Sequence, residues 1–168
     1  LKEGGIVKGV RLKHFSEEYD LQCRCVVGAD GIEGKVGRWA GINTRTRLAE
    51  MTTNVQFEVA GARLEHPDMM EFYFGSKVAP KGYVWVFPKG DDLANVGVGI
   101  RGTQGTALAY LQRFLEAHEG LGRGKVVGIV AGGVPVEGPM ERSVADNVLL
   151  VGDAARQVDP LTGGGIYN

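Results

Sequence analysis

Val148-Leu149-Leu150-Val151-Gly152-Asp153-Ala154-Ala155-Arg156-Gln157-Val158-Asp159-Pro160-Leu161-Thr162-Gly163-Gly164-Gly165 decides how this chain is read. An apolar run ends at Gly152-Asp153, and Pro160 with Gly163, Gly164 and Gly165 then leads toward a helix start. That order describes a short buried strand that stops abruptly and presents one carboxylate. It then enters a loop where a ligand can approach the backbone and meet unpaired N–H groups. An Asp at the carboxyl end of a strand suits a ligand hydroxyl, as in dinucleotide-binding folds. A helix N-cap followed by a plain Gly-rich connection is the bland alternative. Three consecutive glycines carry an entropic cost that a simple connector avoids, which favours the ligand loop.

A second segment has the same design. Val26-Val27-Gly28-Ala29-Asp30-Gly31 is followed by Ile32-Glu33-Gly34-Lys35-Val36-Gly37-Arg38. Strand, Asp-Gly turn and helix form a phosphate-friendly arrangement, with Arg38 available for charge. Taken alone, Asp30-Gly31 is equally well a turn and Arg38 a solvated helix residue.

Composition sets the limits. The 168 residues suffice for a real core, and 43% hydrophobic with 23% charged residues is ordinary for a globular protein. Glycine is in excess, with 27 residues scattered without period. A net charge of −1 without a basic stripe argues against nucleic acid. No apolar run approaches the ~18 residues of a membrane span. Cys23 and Cys25 have too few companions for a metal site and read as small buried hydrophobes on one strand face, in a reducing compartment. His14, His66 and His118 are dispersed and receive no role. The chain begins without Met and stops where a helix is due, so it is expected to be a piece of a longer protein.

Periodicity predicts strands over 6–13, 19–27, 47–59, 69–74, 83–87, 94–100, 126–134 and 147–151, with helices over 35–40 and 106–118. Tyr83, Trp85 and Phe87, before Pro88, share one strand face. Packing against the core is the commoner use of such a stripe, and the wall of an apolar pocket is the functional one.

Three motifs together carry a resemblance. They are Gly28-Ala29-Asp30-Gly31 with Val36-Gly37-Arg38-Trp39-Ala40-Gly41, Gly82-Tyr83-x-Trp85-x-Phe87-Pro88-Lys89, and the Gly152–Ile166 segment. Residues 26 to 168 thereby resemble the geranylgeranyl reductase family, FAD-dependent oxidoreductases related to the flavoprotein hydroxylases. The resemblance implies an α+β chain, part of an α/β FAD-binding fold. FAD-binding segments at 1–46 and 140–168 would flank an antiparallel or mixed sheet for substrate at 47–139. It implies FAD contacts at Asp30, Gly31, Arg38, Gly152, Asp153, Ala154, Pro160, Gly163, Gly164 and Gly165. Tyr83, Trp85, Phe87 and Pro88 would line the prenyl site.

The implied activity is reduction of prenyl double bonds in isoprenoid lipids or pigment precursors, with NADPH or ferredoxin as electron donor. A cytoplasmic protein in transient peripheral contact with the membrane surface, without nucleic acid, would fit. Two departures are notable. Gly34 stands where related hydroxylases carry Ser, and Arg38 falls one residue later than their Arg. The family's N-terminal βαβ unit for the ADP half of FAD is also missing, so this chain alone is expected to bind FAD weakly or not at all, and to be inactive. A flavin monooxygenase or halogenase, and a non-enzymatic lipid-binding domain, remain the other readings.

Overall fold

The computed structural model describes residues 1–90, 92–102 and 105–164. The chain divides into two units, one of Leu48–Val134 and one of Leu1–Arg47 with Pro135–Asn168. Sheet dominates, with two α-helices among the described residues, so the chain is α+β.

The discontinuous unit begins with β1 (Lys2–Glu3) and β2 (Ile6–Val7), then the hairpin of β3 (Gly9–His14) and β4 (Glu17–Gln22). β5 (Val26–Gly28) leads to the short helix α1 (Val36–Ala40), which Gly41 closes at a φ of 92°. The single strand expected over 19–27 is broken at Cys23-Arg24-Cys25. The reason is a change of partner: β4 pairs with β3, whereas β5 pairs in parallel with β12 (Val148–Leu150), whose other neighbour is the antiparallel β11 (Val144–Ala145). The cysteines therefore lie in a connection, Cys23 half-buried and Cys25 exposed, and not on one buried strand face. Beyond β12 lies a 3-10 turn, Gly152–Ala155. Val7, Ile42, Val148, Leu150 and Ala155 make a small core here.

The other unit is a five-stranded sheet. In chain order its elements are β6 (Met51–Ala60), β7 (Glu71–Phe74), β8 (Tyr83–Pro88), β9 (Leu93–Ile100), α2 (Ala107–Ala117) and β10 (Lys125–Pro135). The spatial order is β10-β6-β9-β8-β7. Thr106 caps α2, its hydroxyl accepting from the Ala109 amide at 3.2 Å. Strand alternation sorts the side chains. Val84 and Val86 of β8, Val96 and Val98 of β9 and Leu111 of α2 are fully buried in one cluster. The opposite parity of β8 carries Tyr83, Trp85 and Phe87, half-buried on the other face. The aromatic stripe is thus not the core stripe, because valines fill that role.

Candidate functional site

Parallel pairing places the two glycine turns together. Leu150 of β12 stands opposite Gly28 of β5, so the loops leaving both carboxyl ends emerge side by side. A Cβ at Gly28 would fall 2.7 Å from the Leu150 Cδ2, so a side chain here would displace that buried methyl. Between the loops is a small cleft whose lining includes Asp30, Gly31, Thr46, Asp153, Ala154 and Arg156. Carboxyl ends of adjacent parallel strands are where open α/β sheets take ligands.

Asp30 has a local duty as well. Its Oδ2 accepts the Lys35 amide at 2.6 Å and the Val36 amide at 2.9 Å, satisfying N–H groups at the start of α1. A Cβ at Gly34 would lie 2.5 Å from the Asp30 carboxylate, which explains why glycine stands there. Gly31, at a φ of 72°, has open space where a Cβ would sit.

Sequence reasoning missed Arg156. It adopts a left-handed backbone, φ 56°, at the end of the 3-10 turn, and its Nη1 lies 2.8 Å from Glu137 Oε2. Arg47 reaches the same carboxylate through its Nε at 3.1 Å and its amide at 3.3 Å. Burial works to raise the Glu137 pKa. The Arg47 amide, the Arg156 hydrogen bond and the two positive charges outweigh it and hold the carboxyl below its ordinary range. Thr46 Oγ1 and Arg156 Nε are buried without a hydrogen-bond partner. Arg156 lies between Gly152 and Pro160, but nothing in its neighbours announces the left-handed turn.

The remaining candidates lie elsewhere in this unit. Gly152 has a φ of 60° and donates its amide to Gln157 Oε1 at 3.1 Å. Arg38 is exposed on α1 and is not among the lining residues. Pro160 is exposed, and the loop after it closes on Asp159. The Asp159 Oδ1 accepts the Leu161 amide at 2.7 Å, and its carbonyl accepts the Gly163 amide at 2.8 Å. The Gly164 amide donates to Thr162 Oγ1 at 3.2 Å. Gly165 lies outside the described residues.

In the sheet unit, the face opposite α2 is half-exposed and carries the aromatic stripe beside the small residues of β9; this face is termed the trough. Phe72 of β7 packs edge-on against Tyr83 and Phe87, with ring centroids 5.6 and 5.5 Å apart, and Trp85 sits between Tyr83 and Phe87 along β8. Pro88 ends that strand, half-buried, opposite Ala94. The trough floor is β9. A Cβ at Gly97 would fall 2.2 Å from the Trp85 ring, so the indole lies on bare backbone. Its Nε1 donates to Gln56 Oε1 at 2.9 Å. The far wall, β6, is polar: the Asn54 amide donates to Thr52 Oγ1 at 3.1 Å, and Glu58 pairs with Lys89.

On the core face, Tyr73 donates to Glu71 and meets His118 Nε2 at 3.3 Å. Burial, then the Glu71 carboxylate, push the Tyr73 phenol up to about 12. Among the described residues there is no cluster of three or more His, Cys, Asp or Glu suited to a metal, and no helix long and apolar enough to cross a membrane.

At the level of fold, the chain is shared with flavin-dependent enzymes: a flavin-dependent brominase superposes on 99% of it with a TM-score of 0.75 at 18% identity. Closer likenesses narrow the class. A crystal structure from Thermoplasma acidophilum, a geranylgeranyl bacteriochlorophyll reductase-like protein, covers 100% of this chain at 40% identity and a TM-score of 0.92. Digeranylgeranylglycerophospholipid reductases of Methanosarcina acetivorans and Methanothrix thermoacetophila are each 47% identical over 99% and 100% of the chain. The geranylgeranyl reductase catalytic domain matches residues 50–134, which is the sheet unit almost to the residue. The chain belongs to the geranylgeranyl reductase family. It spans 41% and 43% of the length of those curated relatives, and 43% of the Thermoplasma chain.

Proposed function

We propose that the protein containing this chain is an FAD-dependent reductase that saturates double bonds of geranylgeranyl groups in an isoprenoid lipid or pigment precursor. The observation that carries this reading is the trough, where an aromatic wall and a glycine floor fall within the segment matched by the family's catalytic domain. A hydrocarbon chain laid against Tyr83, Trp85, Phe87 and Pro88 loses apolar surface to protein and gains about 25 cal/mol per Å². Exclusion of water there would hold the alkene in a dry setting.

The cleft of the other unit supports the cofactor. Thr46 Oγ1 and Arg156 Nε are polar atoms without partners, and Gly31 leaves room for close approach. That donor set, with Asp153 beside it, fits the polar edge of a flavin. FAD, when bound, supplies the hydride chemistry that side chains lack. In this reading Asp153, Ala154, Gly152 and Gly31 hold the cofactor and Asp30 braces the loop by accepting the Lys35 and Val36 amides. Arg38, Pro160, Gly163, Gly164 and Gly165 are peripheral contacts. Electrons would come from NADPH or ferredoxin, and the lipid would be met at a membrane surface from the cytoplasm.

Full-length protein supplied with a geranylgeranyl lipid and reductant, with and without oxygen, tests this. Flavin absorption bands and an oxygen-independent product heavier by two hydrogens per alkene are expected. Oxygenated or halogenated product formed only in air would transfer the protein to the monooxygenase or halogenase class. Lipid binding without flavin bands would leave a binding domain.

A further inference from the structure

We propose that Gln56 is a positioning residue for the trough: it holds the Trp85 indole down across β9 so that a prenyl chain can lie over the ring. This rests on the trough being the prenyl site. Trp85, Gly97 and Gln56 occupy one row across three adjacent strands, Trp85 and Gln56 both standing opposite Gly97. The indole spans that row and ends in the 2.9 Å hydrogen bond to Gln56 Oε1. An indole N–H can only donate, so the amide orientation is fixed: its oxygen meets the ring and its NH2 points away.

The neighbours on β6 do not duplicate this function. The Asn54 amide is engaged with Thr52 and its oxygen lies over Gly99, where a Cβ would come within 2.4 Å of it. Glu58, on the other side, is paired with Lys89. Aromatic packing alone does not fix the ring height. Tyr83 and Phe87 flank Trp85 along the strand at 5.8 and 6.4 Å between centroids, whereas Gln56 is bonded to the indole nitrogen from the other side of β9. Without the acceptor, the indole N–H on a half-buried ring would seek water, and the ring would lift into the space above Gly97. A raised ring would occupy the volume a hydrocarbon chain needs.

The test uses the full-length protein, in which a Trp85→Phe variant assigns the signals of Trp85. The readouts are the indole N–H resonance by 15N NMR, the Trp85 fluorescence, and geranylgeraniol binding followed by that fluorescence. Gln56→Met removes the acceptor at similar volume, and Gln56→Glu keeps one. In Gln56→Met the indole resonance should move toward that of a water-exposed indole and affinity should fall about tenfold, the size of one hydrogen bond. Gln56→Glu should restore the resonance and bring affinity within about threefold of the parent, since the acceptor returns. Circular dichroism should be the same in all three.

An unchanged resonance in Gln56→Met overturns the proposal, as does a moved resonance with unchanged affinity. Equal losses in the Met and Glu variants would assign the effect to packing and also overturn it. If the protein with native Gln56 does not bind geranylgeraniol, the prenyl reading of the trough fails and the proposal falls with it, whereas binding by the parent with an unchanged resonance in Gln56→Met overturns the proposal alone.

Discussion

The two units solve burial in different ways. The sheet unit has one closed layer, in which Val84, Val86, Val96, Val98 and Leu111 are fully excluded from water. The discontinuous unit gathers fewer buried residues around Leu150, and its hairpin β3–β4 is exposed along nearly its whole length. Correspondingly, chemistry-bearing groups sit on the open side of a finished core in one unit. In the other they sit on turns whose conformation is itself held by side chains such as Asp30 and Glu137. A stable layer tolerates a half-exposed aromatic trough because the opposite face carries the folding energy. Turns held by individual polar contacts are more exposed to the loss of any one contact.

Core truncation gives the largest effect and the sharpest test of that contrast. Leu111→Ala, in the closed layer, should cost about 4 kcal/mol, and Ile42→Ala, in the smaller core, about 2 kcal/mol, because a less enclosed site can relax around the deletion. Urea midpoints at unchanged slope would measure both. Equal losses would mean that the two cores are equally close-packed and differ only in size. Next comes Asp30→Ala. It deletes the acceptor for the Lys35 and Val36 amides and should cost about 1 kcal/mol, with Asp30→Asn recovering most of it. If the Ala variant matched the parent, Asp30 would not be the brace of its loop.

Much of this was readable in the residues, and the limits are physical. The alternation of β8 announced a strand, and Thr106 with its leucine spacing announced α2, because both signals are local. That the aromatic parity faces away from α2 was not readable. Periodicity says which residues share a face, and only the long-range partners Val96, Val98 and Leu111 say which face is covered. The pairing of the glycine turns depended on β5 and β12 lying parallel, a contact between residues more than a hundred positions apart. Arg156 in the left-handed turn and the Gln56–Trp85 bond escaped for the same reason. Each depends on a tertiary neighbour and has no sequence spacing of its own. The cysteine segment misled because Tyr19 to Val27 reads as one strand, although its two halves, in β4 and β5, pair with different strands.

The smallest effects are pH-dependent, and they separate the units by sign. In the sheet unit, the Tyr73 phenol is pushed up to about 12, whereas in the unfolded chain it ionises near about 10. Its contribution is therefore whole below pH ~10 and is lost as pH rises from there through the folded value, because the unfolded chain releases the proton first. Tyr73→Phe should flatten this alkaline limb and leave the acid limb alone. In the discontinuous unit, Glu137 is held below its ordinary range by Arg47 and Arg156. Its contribution is present above the unfolded Glu value of about 4.3 and fades as pH falls through the lower folded value. Glu137→Gln should lower the melting temperature near neutrality and make the acid limb shallower. Melting curves across pH for the parent and both variants would decide the matter. Should Glu137→Gln instead change the alkaline limb, or leave the acid limb as steep as the parent's, the ion pairs around Glu137 would not be what holds the Arg156 turn.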